Sequence, residues 1–145
     1  MLLKSKILVT IQFLIIFLML LEFGAKTQYL YIGLVIIFLG ITIGILAIQE
    51  HESNNFNIRP DIKENCKLVT TGIYTYIRHP MYLAVLLSML GVAVIYFTYY
   101  ELILFICLLV TLLVKLFYEE SLWKCHSDAY NEYLQNTKRL IPFIF

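Results

Sequence analysis

The chain is 145 residues long, 61% apolar and almost neutral, at +1. A mean hydropathy of +0.81 is far above that of a water-soluble domain, so a bilayer is the expected solvent and a single domain the expected organisation. The near-zero charge argues against nucleic acid as a partner, and Cys66, Cys107 and Cys125 are too widely spaced for a disulfide framework.

Lys4 and Lys6 precede a predominantly apolar run from Ile7 to Phe23. The run is long for a signal-peptide core and Ala25 is a poor cleavage residue, so it reads as a first membrane helix. Glu22, Gly24 and Lys26 mark a turn, and Tyr29 to Ile48 reads as a second span. Gly33, Gly40 and Gly44 recur in it at spacings of seven and four, so two of them share a face. Gly40-x-x-x-Gly44 would let another helix approach closely, and the alternative is that glycine is simply common in membrane helices. Residues 1–49 are thus expected to hold two transmembrane helices. Glu50 to Arg78 is the one long polar stretch, with too few apolar residues for a core of its own.

Pro80 then opens a third span, Met81 to Phe97, because its missing N–H is not needed in a first helical turn. Thr98 to Glu101 is short enough only for a hairpin turn, so a fourth span, Leu102 to about Tyr118, runs back antiparallel and makes 81–118 a helical hairpin. Glu119 to Thr137 is weakly amphipathic, through Leu122, His126, Ala129, Tyr130, Tyr133 and Thr137. The expected fold is all-α: an integral membrane bundle of four transmembrane helices, a loop over 50–80, and a C-terminal amphipathic helix and tail over 119–145. Ten of the eleven Lys and Arg fall at the N-terminus, in the central loop or in the C-terminal region, and only Lys26 falls elsewhere. The positive-inside rule therefore predicts a multi-pass protein with both termini cytoplasmic.

That topology brings "KLVTTGIYTYIRHPMY", Lys67 to Tyr82, to the same face as the C-terminal tail. The face gathers Tyr74, His79, Tyr82, Lys115, Glu119, Glu120, His126 and Arg139. A cationic membrane-surface cap with interfacial tyrosines explains the block without any chemistry. An i, i+4 pair of Lys115 with Glu119 likewise explains that carboxylate, and a cationic ligand is the functional alternative. His51, Cys66, His79, Cys125 and His126 lack ligand spacing, so no metal is expected.

The block "LVTTGIYTYIRHPMY", the upstream Asn55–Asn57 "NFN" and the tail "EE…L…Y..Y…IPF" resemble the isoprenylcysteine carboxyl methyltransferase family, integral membrane enzymes that use S-adenosylmethionine. Phospholipid N-methyltransferases share the R-H-P-x-Y and E-E pattern. The resemblance, from about Asn55 to Phe143, implies cofactor contacts at Cys66, Lys67, Leu68, Val69, Tyr74, His79, Pro80, Met81 and Tyr82 and at Glu119. It implies that Lys115, with Arg139, orients a lipophilic methyl acceptor beside Glu119. An alignment on Tyr130 and Tyr133 shifts the register by one and puts Glu120 in that role; otherwise little is expected of Glu120. Lys115 stands where the family has arginine, and His126-Ser127 where it has Phe-Gly; Asp61 is nearest to a cofactor-contacting glutamine. Other readings are N-methylation of a phospholipid or small amine, a steroid-reductase-like NADPH enzyme using Arg59, Lys63 and Lys67, and a non-catalytic membrane scaffold.

Overall fold

The computed structural model describes residues 2–21, 27–51, 68–126, 128–142 and 144–145, with only the backbone of Leu2 and His126. Helix α1 spans Leu2–Leu20, α2 Leu30–Gln49, α3 Pro80–Tyr96, α4 Tyr99–His126 and α5 Asp128–Asn136; a single 3-10 turn covers Gly72–Thr75. All regular secondary structure among the described residues is helical, apart from one isolated parallel bridge between Ile77 and Lys138.

Three stretches, Leu3–Leu20, Leu30–Gln49 and Tyr99–Cys125, are long and apolar enough to cross a membrane. The 17 residues of α3 are apolar but shorter, about 26 Å at the helical rise, against roughly 30 Å of hydrocarbon. Large side chains such as Phe13, Phe17, Tyr31, Phe38 and Ile103 stand exposed on α1, α2 and α4, an outer surface suited to lipid. The core lies between α1, α3 and α4, where Ile15 and Met19 meet Leu86, Leu108, Leu112 and Leu116, with Leu140 of the tail added.

Helix α2 packs antiparallel on α3. A methyl group added at Gly40 would sit 2.8 Å from the carbonyl oxygen of Ala84, and one at Gly33 would sit 2.6 Å from that of Gly91. Gly44 has ordinary room, with Ala84 Cβ at 3.4 Å. The tight pair on the glycine face is therefore the one spaced by seven. Thr27 secures the mouth of this packing by donating from both N–H and hydroxyl to the carbonyl of Ile95, each at 2.9 Å.

Two boundaries differ from the sequence expectation. The turn between α3 and α4 is only Phe97 and Thr98: Phe97 takes a left-handed conformation (φ 45°), and the Thr98 hydroxyl accepts from the N–H of Glu101 at 3.2 Å, as an N-cap does. Glu119 and Glu120 do not begin a separate amphipathic helix but lie within α4, which continues to His126. The amphipathic element is confined to α5, whose Tyr130 and Tyr133 are buried.

Candidate functional site

The polar groups collect at one end of the bundle, where α3 starts and α2 and α4 finish. Pro80 is the first residue of α3 and is fully buried. Ahead of it, the C-terminal tail clamps the backbone: Arg78 N–H donates to the carbonyl of Lys138 at 2.8 Å and His79 N–H to that of Arg139 at 3.0 Å. Hydrogen bonding to the tail therefore fixes the approach to the helix, as well as proline stereochemistry.

The two glutamates part as their 100° separation requires. Glu120 is buried and takes Arg78 Nε at 2.9 Å on one oxygen and Arg139 Nε at 3.1 Å on the other, with His79 Nε2 at 3.6 Å. Arg78 also donates to both the carbonyl and the hydroxyl of Thr137. Glu120 is thus the point where α4, the R-H-P segment and the tail are joined, so the expectation that it would matter little gives way to a structural role. Glu119, partly exposed, accepts from the Tyr82 hydroxyl at 2.7 Å and has His79 Nδ1 at 3.9 Å.

Glu119 borders a cleft of about 80 Å³, together with His51, Tyr74, His79, Trp123, Tyr130 and Tyr133. Leu68, Val69 and Arg78 complete the lining. Its walls are aromatic: Trp123 stacks on Tyr130 with centroids 5.8 Å apart, and Tyr130 meets Tyr133 at 6.0 Å. The Tyr133 hydroxyl donates to the carbonyl of Tyr74 at 2.6 Å, and the Tyr74 phenol is joined to His51 Nε2 at 2.8 Å. Burial raises the phenol of Tyr74 well above its ordinary value, aided by the Glu119 charge, and burial likewise raises Tyr133, so both remain protonated. Burial lowers His51, against the opposing pull of Glu119, and favours a neutral ring. Glu119 is thus a carboxylate among aromatic faces and neutral hydroxyls, an arrangement that attracts a cation.

Of the residues singled out from sequence, the cleft brings together Leu68, Val69, Tyr74, His79 and Glu119. Tyr82 stands just behind Glu119, its ring stacked on His79 at 5.3 Å. Cys66 and Lys67 lie outside the described residues. Met81 is half-buried on α3 away from the lining, and Arg139 is held by Glu120 with its guanidinium over the rings of Phe117 and Phe145. Lys115 is buried too, its ammonium donating to Gln12 Oε1 at 2.6 Å and lying 5.0 Å from the centroid of the Tyr82 ring. Sequence reasoning missed His51, Trp123, Tyr130 and Tyr133 as lining residues. Trp123, one helical turn beyond Glu119 at i+4, was the available signal.

A larger groove, about 530 Å³, opens between α3 and α4 at the far end, with Leu90, Val94, Phe97, Leu102 and Phe105 in its walls. Its walls are almost wholly apolar, with no charged group among the residues that line it.

Long apolar helices around a carboxylate-bearing aromatic cleft define an all-helical membrane protein. The chain belongs to the phospholipid methyltransferase family, whose model matches residues 28–126. It is accordingly a membrane methyltransferase, a class that in general takes its methyl group from S-adenosylmethionine. The match covers the R-H-P-x-Y block and both glutamates, and does not single out the isoprenylcysteine branch. No curated protein and no solved structure matches the chain.

Proposed function

We propose that the cleft beside Glu119 holds the sulfonium end of S-adenosylmethionine and that the protein methylates a lipophilic acceptor at the membrane interface. The observation that carries this reading is the Glu119 carboxylate, oriented by the Tyr82 hydroxyl at 2.7 Å and ringed by Tyr74, Trp123, Tyr130 and Tyr133. The cleft, of about 80 Å³, is assigned only the charged end of the cofactor. Leu68 and Val69 offer apolar contact at the same rim.

Bound S-adenosylmethionine supplies an electrophilic methyl group: the C–S bond breaks as the acceptor's lone pair forms the new bond, leaving the thioether. Because the sulfonium charge disappears in the transition state, a strongly anionic pocket would slow that step. A single carboxylate diluted by aromatic faces is a compromise between holding the cation and releasing its charge. The residues chiefly position the reactants, an effect worth up to about 7–11 kcal/mol in favourable cases.

By resemblance the acceptor is a prenylcysteine-type carboxylate, already ionised at neutral pH and needing no base. The family match supports equally a phospholipid amine, which must first lose a proton; of the two candidate bases, His79 and Glu120, His79 is the one that borders the cleft. Four membrane crossings, with α3 as the fourth, and cytoplasmic termini are part of this proposal. The test is incubation of membranes containing the protein with methyl-labelled S-adenosylmethionine. Label in lipid or lipidated material supports the reading, base-labile for an ester and stable for an amine. Absence of transfer to any membrane component counts against it.

A further inference from the structure

Helix α1 precedes the family match, which begins at residue 28, yet it sends a buried amide into the site's supporting structure. Gln12 is 6% exposed and its Oε1 accepts from Lys115 Nζ at 2.6 Å; Lys115 itself is 1% exposed. Buried this deeply among the helices, the ammonium needs polar partners inside the bundle. Those partners include the Gln12 amide and the face of Tyr82, 5.0 Å from ammonium to ring centroid. The Tyr82 hydroxyl in turn donates to Glu119 Oε2 at 2.7 Å. The contacts form one path across three helices: Gln12 on α1, Lys115 on α4, Tyr82 on α3, and the Glu119 carboxylate at the cleft.

Packing alone does not call for this path. Ile15 and Met19 already seat α1 against Leu108, Leu112 and Leu116, and an apolar pair at 12 and 115 would avoid burying an ammonium. We propose that Gln12 is a positioning residue of the site, acting through Lys115 to hold the Tyr82 ring and hence the Glu119 carboxylate in place. This rests on the cleft being the S-adenosylmethionine site. A corollary is that Lys115, engaged by Gln12 inside the bundle, supports the cofactor side as well as any acceptor.

The test is calorimetric titration of the full-length protein in lipid nanodiscs with S-adenosylmethionine. Gln12→Leu is expected to weaken binding by roughly two-fold to 150-fold, the range of couplings between directly contacting residues. Gln12→Glu keeps an oxygen at the same reach and is expected to bind as the unmodified protein does. In the double variant with Lys115→Met, loss of Gln12 is expected to add nothing to the loss caused by Lys115→Met alone. Gln12→Met, which fills the same space, replaces the leucine variant if that one folds poorly. Unchanged affinity in Gln12→Leu, or losses that add in the double variant and track the melting temperature, overturns the positioning role. If the unmodified protein binds no S-adenosylmethionine, the site reading falls and takes this inference with it.

Discussion

The phenol of Tyr82, in the first turn of α3, donates to Oε2 of Glu119, in the last third of α4, at 2.7 Å. It joins the two strands of the helical hairpin at the mouth of the cleft. The hydroxyl satisfies one lone pair of the carboxylate. Neither residue is required for helix formation, so their pairing points to the site.

Glu119→Gln and Tyr82→Phe are therefore expected to weaken S-adenosylmethionine binding about ten-fold, the lower range for a lost hydrogen bond to a charged group. The effect should appear in the KM for the cofactor, with kcat and acceptor KM little changed. Steady-state kinetics with each substrate varied in turn measures this. A cofactor KM unchanged in both variants removes Glu119 from the site.

Glu120 invites the opposite experiment. Its carboxylate compensates Arg78, which is 9% exposed, and also binds Arg139. Glu120→Gln leaves a buried guanidinium short of its counter-charge, a change that typically costs about 3–5 kcal/mol. The expected outcome is a large fall in melting temperature in detergent, while Glu119→Gln melts near the unmodified protein. Equal melting of the two variants would show that the Arg78–Thr137 bonds suffice without the carboxylate.

The helix interface offers a third prediction. A side chain at Gly40 has no room against the Ala84 carbonyl and Ser88, so Gly40→Leu must push α2 off α3. Gly44 faces only Ala84 Cβ at 3.4 Å, and Gly44→Ala should be accommodated. Melting temperatures of the two variants, with retention of cofactor binding, separate these outcomes.

These contrasts also mark how far the sequence could be read. Helix positions were legible because apolar runs and Pro80 act locally, and the R-H-P-x-Y block stood out because its residues are contiguous. The division of labour between Glu119 and Glu120 was half-legible: 100° of rotation separates them, but nothing local says which face meets Arg78. The role of Gln12 was illegible, since its partner is 103 positions away. The aromatic walls were hidden for a similar reason, as Trp123 and Tyr130 come from either side of the α4–α5 junction. The length of α4 was misjudged because Glu119 and Glu120 look like the end of a membrane helix until their buried or ring-lined partners are known.

Topology is open to direct measurement. With ten of eleven basic residues on one predicted side, tags at either terminus and a cysteine probe at Asn57 should be cytoplasmic, and a probe at Lys26 should be outside. Accessibility to a membrane-impermeant thiol reagent reads this out, in a background lacking Cys66, Cys107 and Cys125. A C-terminus on the outside would place the cleft at the wrong face for a cytoplasmic cofactor.

His51 supplies the acid-sensitive element. Its ring packs edge-on to Tyr74 at 5.3 Å and its Nε2 is 2.8 Å from the phenol oxygen, and burial depresses its pKa below 6.5 although the Glu119 charge opposes this. With the folded value below the unfolded one, the unfolded chain binds more protons between the two, so stability rises with pH over that window. The contribution is complete above about pH 6.5 and is lost as pH falls toward the depressed folded value. Protonation would also place a cation in the cleft beside Glu119 and compete with a cationic cofactor. The unmodified protein should therefore lose both melting temperature and S-adenosylmethionine affinity as pH is lowered from 7.5 to 5.5. His51→Gln keeps a hydrogen-bonding group near Tyr74 but cannot titrate, and its profiles should be flatter over the same range. Parallel profiles for the two proteins would assign the acid sensitivity to another group and leave His51 with only a packing role against Tyr74.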